Sequence, residues 1–355
     1  MQQVVSATYF PPSGEDSSWE SVTAADVGWD PTALDEAVQG WIDLGARQVL
    51  LLHRGRRLVE AYGHGAHAAT QFDIASMQKS ITSLLVGRLC GEGLLSLDAP
   101  LSDALGTGWT HAQPEEERTI LLRHVLSMTS GLYDDFEPET RPGDSWYYNN
   151  NAYHQVRKAI EAVTGKTTQE VSAEILFEPL GMRASEWRQR PGMVDPHGWT
   201  LSGLHTTARD MGRFGLAVLS GGRWNGRDLI ANPGYLEAAL APSQDLNPAY
   251  GLLWWRLSAE RGIVPGPPRD GTSNPRKSFG GIAVSRPLAL AAPPDTVSAM
   301  GFGDMRLYVV PSLDLVAVRH GVPAGEKTAA GGSVDQKLWT LLAPAMPAPF
   351  RKAAE

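Results

Sequence analysis

A single cysteine, Cys90, stands among the 355 residues, so no disulfide can form within the chain. It falls in the apolar run Ile81-Thr82-Ser83-Leu84-Leu85-Val86-Gly87-Arg88-Leu89-Cys90. A buried, inert thiol is expected there, because a reactive thiolate needs polar, accessible surroundings. No apolar run approaches the ~20 residues of a membrane-spanning helix. The opening segment MQQVVSATYFPPSGEDSSWE lacks the basic start and continuous apolar stretch of a secretory signal. A cytoplasmic protein with no membrane partner is therefore the expectation. Positive charge is scarce too: 31 Lys and Arg face 39 Asp and Glu, a net charge of −8. Without a basic concentration to follow a phosphate backbone, nucleic acid is not an expected partner.

Several catalytic signatures are also missing. There is no G-x-S-x-G of an α/β-hydrolase elbow and no H-E-x-x-H. Gly165-Lys166-Thr167 lacks the upstream glycine of a phosphate-binding loop and reads as a helix-ending turn. The nine histidines, His64 and His67 included, have no metal-ligand spacing with carboxylates, so no metal and no other cofactor is expected.

What is present is an ordinary globular composition, 42% apolar and 20% charged, long enough for one large domain or two lobes. After a polar extension over residues 1–25, Asp30-Pro31 opens a helix that runs to about Gly45, with Asp30 as cap and Pro31 at the first helical position. Gln48–His53 and Leu58–Tyr62 read as strands around a tight turn at Arg54–Arg57. Helical patterning dominates from about 75 to 245. Strand character returns at Tyr250–Trp255, and a hairpin follows at Arg306–Pro311 and Asp314–Val318, before a closing helix over Val334–Ala345. Residues 258–297, rich in Pro, Gly and Arg, read either as a loop over a site or as a surface excursion. Strands from both ends can share one antiparallel sheet, with the helical stretch as an inserted lobe and a site in the crevice between them. The class is α+β, a single domain with residues 26–75 and 246–350 in the sheet lobe and 76–245 in the helical lobe.

Two stretches have the residues for chemistry. Ser76-Met77-Gln78-Lys79 places a hydroxyl and an amine three residues apart at the start of a helix, on one face. An uncharged lysine can take the serine proton and make it a nucleophile. The bland alternative is a capping serine with a solvated lysine, but the apolar residues after Lys79 argue for a buried helix. Tyr148 and Asn150 lie in Trp146-Tyr147-Tyr148-Asn149-Asn150-Asn151; a phenol near a lysine can relay protons and an amide can orient it. Taken alone, that stretch reads rather as a polar, aromatic surface turn. Trp254 and Trp255 read as strand core, with one of them a candidate cleft wall.

In combination these segments resemble the serine β-lactamase and penicillin-binding superfamily, in its class C-like branch with carboxylesterases, D-amino-acid peptidases and 6-aminohexanoate-dimer hydrolases. Phe72–Ser80 is similar to the nucleophile segment and Arg123–Leu132 to a helix-to-loop signature. Pro142–Asn150 is similar to the tyrosine motif, and Ser202–Gly215 to a further family stretch. The similarity runs from about residue 45 to 320 with the motifs in order. It implies a β-lactamase/transpeptidase-like fold, Ser76 as acylated nucleophile, Lys79 as base, Tyr148 as proton relay and Asn150 as orienting amide. It also implies an oxyanion hole from the Ser76 backbone N–H and one from the strand near Gly301, with Gly301 and Phe302 facing substrate. Tyr133 and Asp134, after the Ser130-Gly131 turn, either sit in a solvated loop or face substrate.

The third family motif, K-T-G or H-T-G, is replaced by Ala299-Met300-Gly301. In β-lactamases the lost side chain helps bind the substrate carboxylate, so its loss points from penicillins toward a small ester or amide. The expected activity is serine hydrolysis of carboxylesterase or amidase type, near the 6-aminohexanoate-dimer hydrolases. A true β-lactamase or D,D-peptidase, and a catalytically inactive binding member of the fold, are the alternatives.

Overall fold

The structure is a computed structural model that describes residues 7–13, 19–266, 274–325 and 334–351. Parts of the expected extension, of the 258–297 stretch and of the later sheet-lobe span lie outside those residues. Helix α1 (Pro31–Asp43) starts as its residues dictate: the Asp30 carboxylate accepts the Ala33 N–H at 3.1 Å, and Pro31 occupies the first turn. Its apolar stripe, Leu34, Ala37 and Trp41, is buried.

Next come β1 (Ala46–His53) and β2 (Arg56–Tyr62), joined through Arg54 and Gly55, both at positive φ. The short strand β3 (Phe72–Asp73) and the later β4 (Glu186–Val194) and β5 (Thr200–Thr206) make a separate three-stranded sheet in the order β3-β5-β4. Strands β6 (Arg223–Trp224) and β7 (Arg227–Asp228) form a small hairpin. The main sheet continues with β8 (Trp255–Arg256), after which β9 (Gly262–Gly266) and β10 (Gly280–Val284) pair as an excursion. Strands β11 (Val297–Gly301), β12 (Met305–Val310) and β13 (Leu315–Gly321) complete the main sheet, antiparallel in the order β2-β1-β13-β12-β11-β8. First-half β1 therefore pairs with last-half β13, as the sequence predicts.

The leucine run of β1 is buried on both faces. Val49 and Leu51 join Trp41, Tyr308 and Trp339 in the core beneath α1, whereas Leu50 and Leu52 join the larger core shared with the helical residues. Helix α2 (Gln78–Gly91) and α3 (Asn150–Thr164) belong to that second core. Helix α4 (Ala208–Leu219) lies directly on the sheet: a Cβ on its Gly212 would come 2.6 Å from Leu50, and one on Gly215 2.5 Å from Val316. The span 76–245 thus contains a helix that covers the sheet and strands that sequence patterning did not show. β4 has no strand signal in the sequence because its residues are mostly exposed, show no apolar alternation and include Pro191-Gly192. The segment Tyr250–Trp255 is mostly irregular rather than a strand; only Trp255–Arg256 pairs with β11.

Two further expectations are corrected. The N-terminal extension is not merely superficial, since Trp19 is 2% exposed and its indole N–H donates to the Gly55 carbonyl at 2.8 Å. Cys90 is half-buried rather than fully enclosed; burial pushes its thiol up to about 11, so it stays protonated. Among the described residues, no helix is long and apolar enough to cross a membrane.

Helix α5 (Val334–Leu342) closes the sheet lobe through Asp335. This carboxylate accepts from Arg306 Nε at 2.8 Å, Arg306 Nη2 at 3.2 Å and the Tyr308 hydroxyl at 2.7 Å, all buried. Burial raises the carboxyl and the Arg306 pair outweighs it, holding the group below its ordinary value. Its contribution is thus complete at neutral pH and lost only as acid protonates it. Asp335→Ala removes the close carboxylate of the buried Arg306 guanidinium, leaving it only Asp304 at 3.6 Å and two backbone carbonyls. The substitution should destabilise the protein by about 3 kcal/mol, read as a lowered urea midpoint.

Candidate active site

The nucleophile turn is built where β3 meets α2. Ile74 N–H donates to the Leu204 carbonyl of β5 at 3.0 Å, and the Asp73 carboxylate accepts the Ala75 N–H at 2.9 Å. Ala75 takes φ 48°, the left-handed region that disfavours a side chain, typically by about 1–2 kcal/mol. One 3₁₀ turn, Ala75–Met77, then leads into α2. Ser76 thus stands just ahead of the helix, not inside it, half-buried at its head.

α2 itself is buried for most of its length. Ser80 and Ser83 donate to the Leu253 and Leu252 carbonyls at 2.8 and 2.7 Å, and the Gln78 side chain accepts the Leu204 N–H at 2.9 Å. These polar contacts let an apolar helix carry serines and a glutamine without orphaned groups. They also fix its rotation, which aims Lys79 inward.

Lys79 is 4% exposed, and its Nζ donates to Ser76 Oγ at 3.0 Å and to Asn150 Oδ1 at 2.8 Å. Burial draws the ammonium down to about 7, and the positive charge of Arg190 adds to the shift. The rings of Tyr153 and Tyr148 lie 4.5 and 4.9 Å from Nζ, a cation–π setting that favours the charged form and opposes further depression. The amine therefore titrates in the neutral range, where it can both accept and return a proton. Tyr148 shares a hydrogen bond with Ser76, yet burial pushes its hydroxyl above the ordinary value, so it remains a phenol.

α3 supplies the opposite wall. Asn149 caps the helix by accepting the Ala152 N–H at 2.9 Å, while its amide donates to the Leu132 and Tyr133 carbonyls. Asn151 donates to the Asp134 carbonyl at 2.8 Å. Of three consecutive asparagines only Asn150 meets Lys79. Tyr153 was not singled out in the sequence, although it follows Asn150 by three residues and so shares its helix face. Its hydroxyl bonds Thr82 at 2.9 Å.

Strand β11 presses against the nucleophile turn from the sheet side. A Cβ on Gly301 would stand 2.2 Å from the Ile74 carbonyl oxygen and 3.2 Å from the Met77 nitrogen, so only glycine fits. This contact sets the Gly301 backbone against the residues that flank Ser76. Ala299 is buried and Met300 half-buried, so no cationic or imidazole side chain stands at position 299, and Phe302 is 86% exposed on the β11–β12 turn.

Arg190 on β4 is a functional candidate with no sequence signal. It lies across Gly203 and pairs with Asp73 through Nε at 2.9 Å and Nη2 at 2.6 Å. Tyr133 and Asp134 are brought near the site but are otherwise engaged. The Asp134 carboxylate accepts the Tyr147 hydroxyl at 2.8 Å and the Ser278 N–H at 2.5 Å, and the Arg276 guanidinium covers the Tyr133 ring at 4.7 Å. The described part of the 258–297 stretch is thus fastened over this side of the site. Trp254 is sequestered in the core against Phe214, while Trp255 stacks on Tyr148.

A family model described as Beta-lactamase matches residues 36–310. Esterase EstB of Burkholderia gladioli is 27% identical over 195 residues, which span 44% of this chain and 49% of that protein. A solved structure from Bacteroides dorei, provisionally assigned as a β-lactamase, superposes with a TM-score of 0.66 at 20% identity, covering 89% of this chain and all but 1% of its own (99%). Another from Bacillus anthracis, provisionally assigned as a 6-aminohexanoate-dimer hydrolase, superposes with a TM-score of 0.64 at 16% identity, covering 95% and 89%. At such identities the structural likeness carries the fold alone. The family match is different in kind, for it spans well over half the chain and takes in the nucleophile turn, α2, α3 and β11: the chain belongs to the Beta-lactamase family of serine hydrolases.

Proposed function

We propose that the protein hydrolyses a small ester or amide with an uncharged acyl part, through an acyl-enzyme on Ser76. The observation that carries this reading is the buried Lys79 amine, 3.0 Å from Ser76 Oγ and titrating near 7. In acylation Ser76 Oγ bonds to the substrate carbonyl carbon while its proton passes to Lys79 Nζ. The Ser76 N–H and a β11 amide beside Gly301 stabilise the oxyanion. The bond to the leaving alcohol or amine then breaks as Tyr148 gives it a proton, restored to the phenol from Lys79. Water reverses the sequence on the acyl-enzyme and frees the acid.

Charge placement supports an uncharged acyl group. Arg190 is engaged by Asp73, Arg276 by Asp135 at 2.7 Å and Lys277 by Glu139 at 2.6 Å, while position 299 offers only a methyl. The esterase relative and the 6-aminohexanoate-dimer hydrolase neighbour fit an ester or amide substrate. The missing motif side chain also favours a second reading, a binding protein of this fold without turnover.

Fluorophosphonate labelling should mark the wild type and leave Ser76→Ala unmarked, with ester hydrolysis falling at least about a thousandfold in that variant. Equal labelling of the two proteins removes Ser76 as nucleophile, and a folded wild type with no turnover on short-chain esters or linear amides favours the binding reading. Rapid nitrocefin turnover would instead return the protein to β-lactam chemistry. Because Lys79 must be uncharged to act, kcat/KM should fall as pH drops through about 7, with a single acid limb that Tyr148→Phe leaves in place. Gly301→Ala should remove at least about tenfold of kcat/KM, since its methyl would drive β11 off the nucleophile turn.

A further inference from the structure

We propose that Trp255 and Phe279 are positioning residues for Tyr148, holding its phenol where it can pass a proton to the leaving group; this rests on the hydrolytic reading above. The Tyr148 ring has four aromatic neighbours; Trp146 at 6.3 Å and 45° and Tyr250 at 6.3 Å and 84° complete a cage whose stacked face and outer edge come from Trp255 and Phe279. Trp255 stacks against it, 6.2 Å between centroids and 25° between planes, and Phe279 meets it edge-on at 5.9 Å and 88°. Trp255 is itself held, with Tyr250 at 4.7 Å and 82° and Trp146 at 6.3 Å and 68°.

Both residues come from elements with their own anchors. Trp255 lies on β8, whose pairing with Ser298 ties it to β11, the strand that reaches the nucleophile turn. Stacking therefore couples the phenol to the same strand that supplies the expected oxyanion amide. Phe279 comes from the segment before β10, and its neighbours fasten that segment in place. Asp134 N–H donates to the Arg276 carbonyl at 3.0 Å, Ser278 N–H donates to the Tyr147 hydroxyl at 3.0 Å, and Lys277 pairs with Glu139. Asp134, expected as a group that faces substrate, serves here as the anchor of that segment.

A phenol turns about two side-chain bonds, and its hydrogen bond to Ser76 fixes only the oxygen end. With Ala299 contributing no polar atom at the third-motif position, packing on the ring is what defines its tilt. A displacement of about 1 Å in a group that transfers a proton costs on the order of a hundredfold in rate. The aromatic pair is placed to prevent it.

Leaving-group dependence separates relay positioning from general damage. Nitrophenolate departs without a proton, whereas an alkoxide needs one. Trp255→Leu and Phe279→Ala should lower kcat/KM about ten- to a hundredfold on an ethyl ester, and less than about threefold on the p-nitrophenyl ester of the same acid. Trp255→Phe, which restores a stacking ring, should recover most of the loss. Added to Tyr148→Phe, neither substitution should cost anything further on the ethyl ester. Equal losses on both esters, losses that add to that of Tyr148→Phe, or no loss would each overturn the assignment. Thermal unfolding checks the fold; should Trp255→Leu fail it, Phe279→Ala and Trp255→Phe decide alone. Ser76→Ala is measured on the same esters, so undiminished turnover there is charged to the hydrolytic reading and not to the two aromatics.

Discussion

The proposed hydrolysis depends on one constraint: an amine that must be dry enough to lose its proton near neutrality and yet stay hydrogen-bonded. Lys79 meets both demands because its Nζ has Ser76 and Asn150 as partners while tyrosine rings take the place of water around it. Either condition alone would fail. A solvated lysine would keep its ordinary pKa near 10.4 and be a poor base at pH 7, and a buried one without acceptors would be an unsatisfied donor in the core.

Meeting those conditions requires three parts of the chain. α2 carries the lysine, with the serine on the turn just ahead of it, but cannot set its own rotation; its buried Ser80 and Ser83 are held by the 252–253 backbone. α3 brings the acceptor, and its cap at Asn149 also ties down the 132–133 loop. β11 closes the turn from the sheet side, at a position where the Ile74 carbonyl leaves no room for a side chain. Arg190 joins this assembly from β4, close enough to Lys79 for its charge to lower the amine while Asp73 holds it in place. The site is therefore a property of the junction between sheet and helices, and neither has it alone.

Much of this was legible in the chain. The Asp30-Pro31 helix start, the β1–β2 and β12–β13 hairpins and the closing helix are local features, dictated by capping, turn chemistry and alternation within a few residues. The spacing of Ser76 and Lys79 was legible as well, and in the structure the Lys79 amine donates to the serine hydroxyl at 3.0 Å, with Ser76 on the turn ahead of the helix rather than on its face. The sequence did not show β4, whose mostly exposed residues have no apolar period and are broken by Pro191-Gly192, nor the burial of Trp19 within a polar segment. Tyr133 and Asp134 were legible as a loop beside the motif, but their engagement by Arg276 and Ser278 lies more than 130 residues away in sequence.

By itself, the amino-acid sequence determined the spacing of Ser76 and Lys79, the candidacy of Tyr148 and Asn150, and the absence of a charged side chain at position 299. The first follows from position in the chain, the last from residue type, and the candidacy of Tyr148 and Asn150 from the ordered motifs of the resemblance. Only the tertiary structure decided that Asn150 rather than Asn149 or Asn151 meets the lysine, that Trp255 rather than Trp254 reaches Tyr148, and that Lys79 titrates near 7. The reason is physical: adjacent residues of similar chemistry differ only in the direction they face and the water they lose, and both are set by distant segments packing against them.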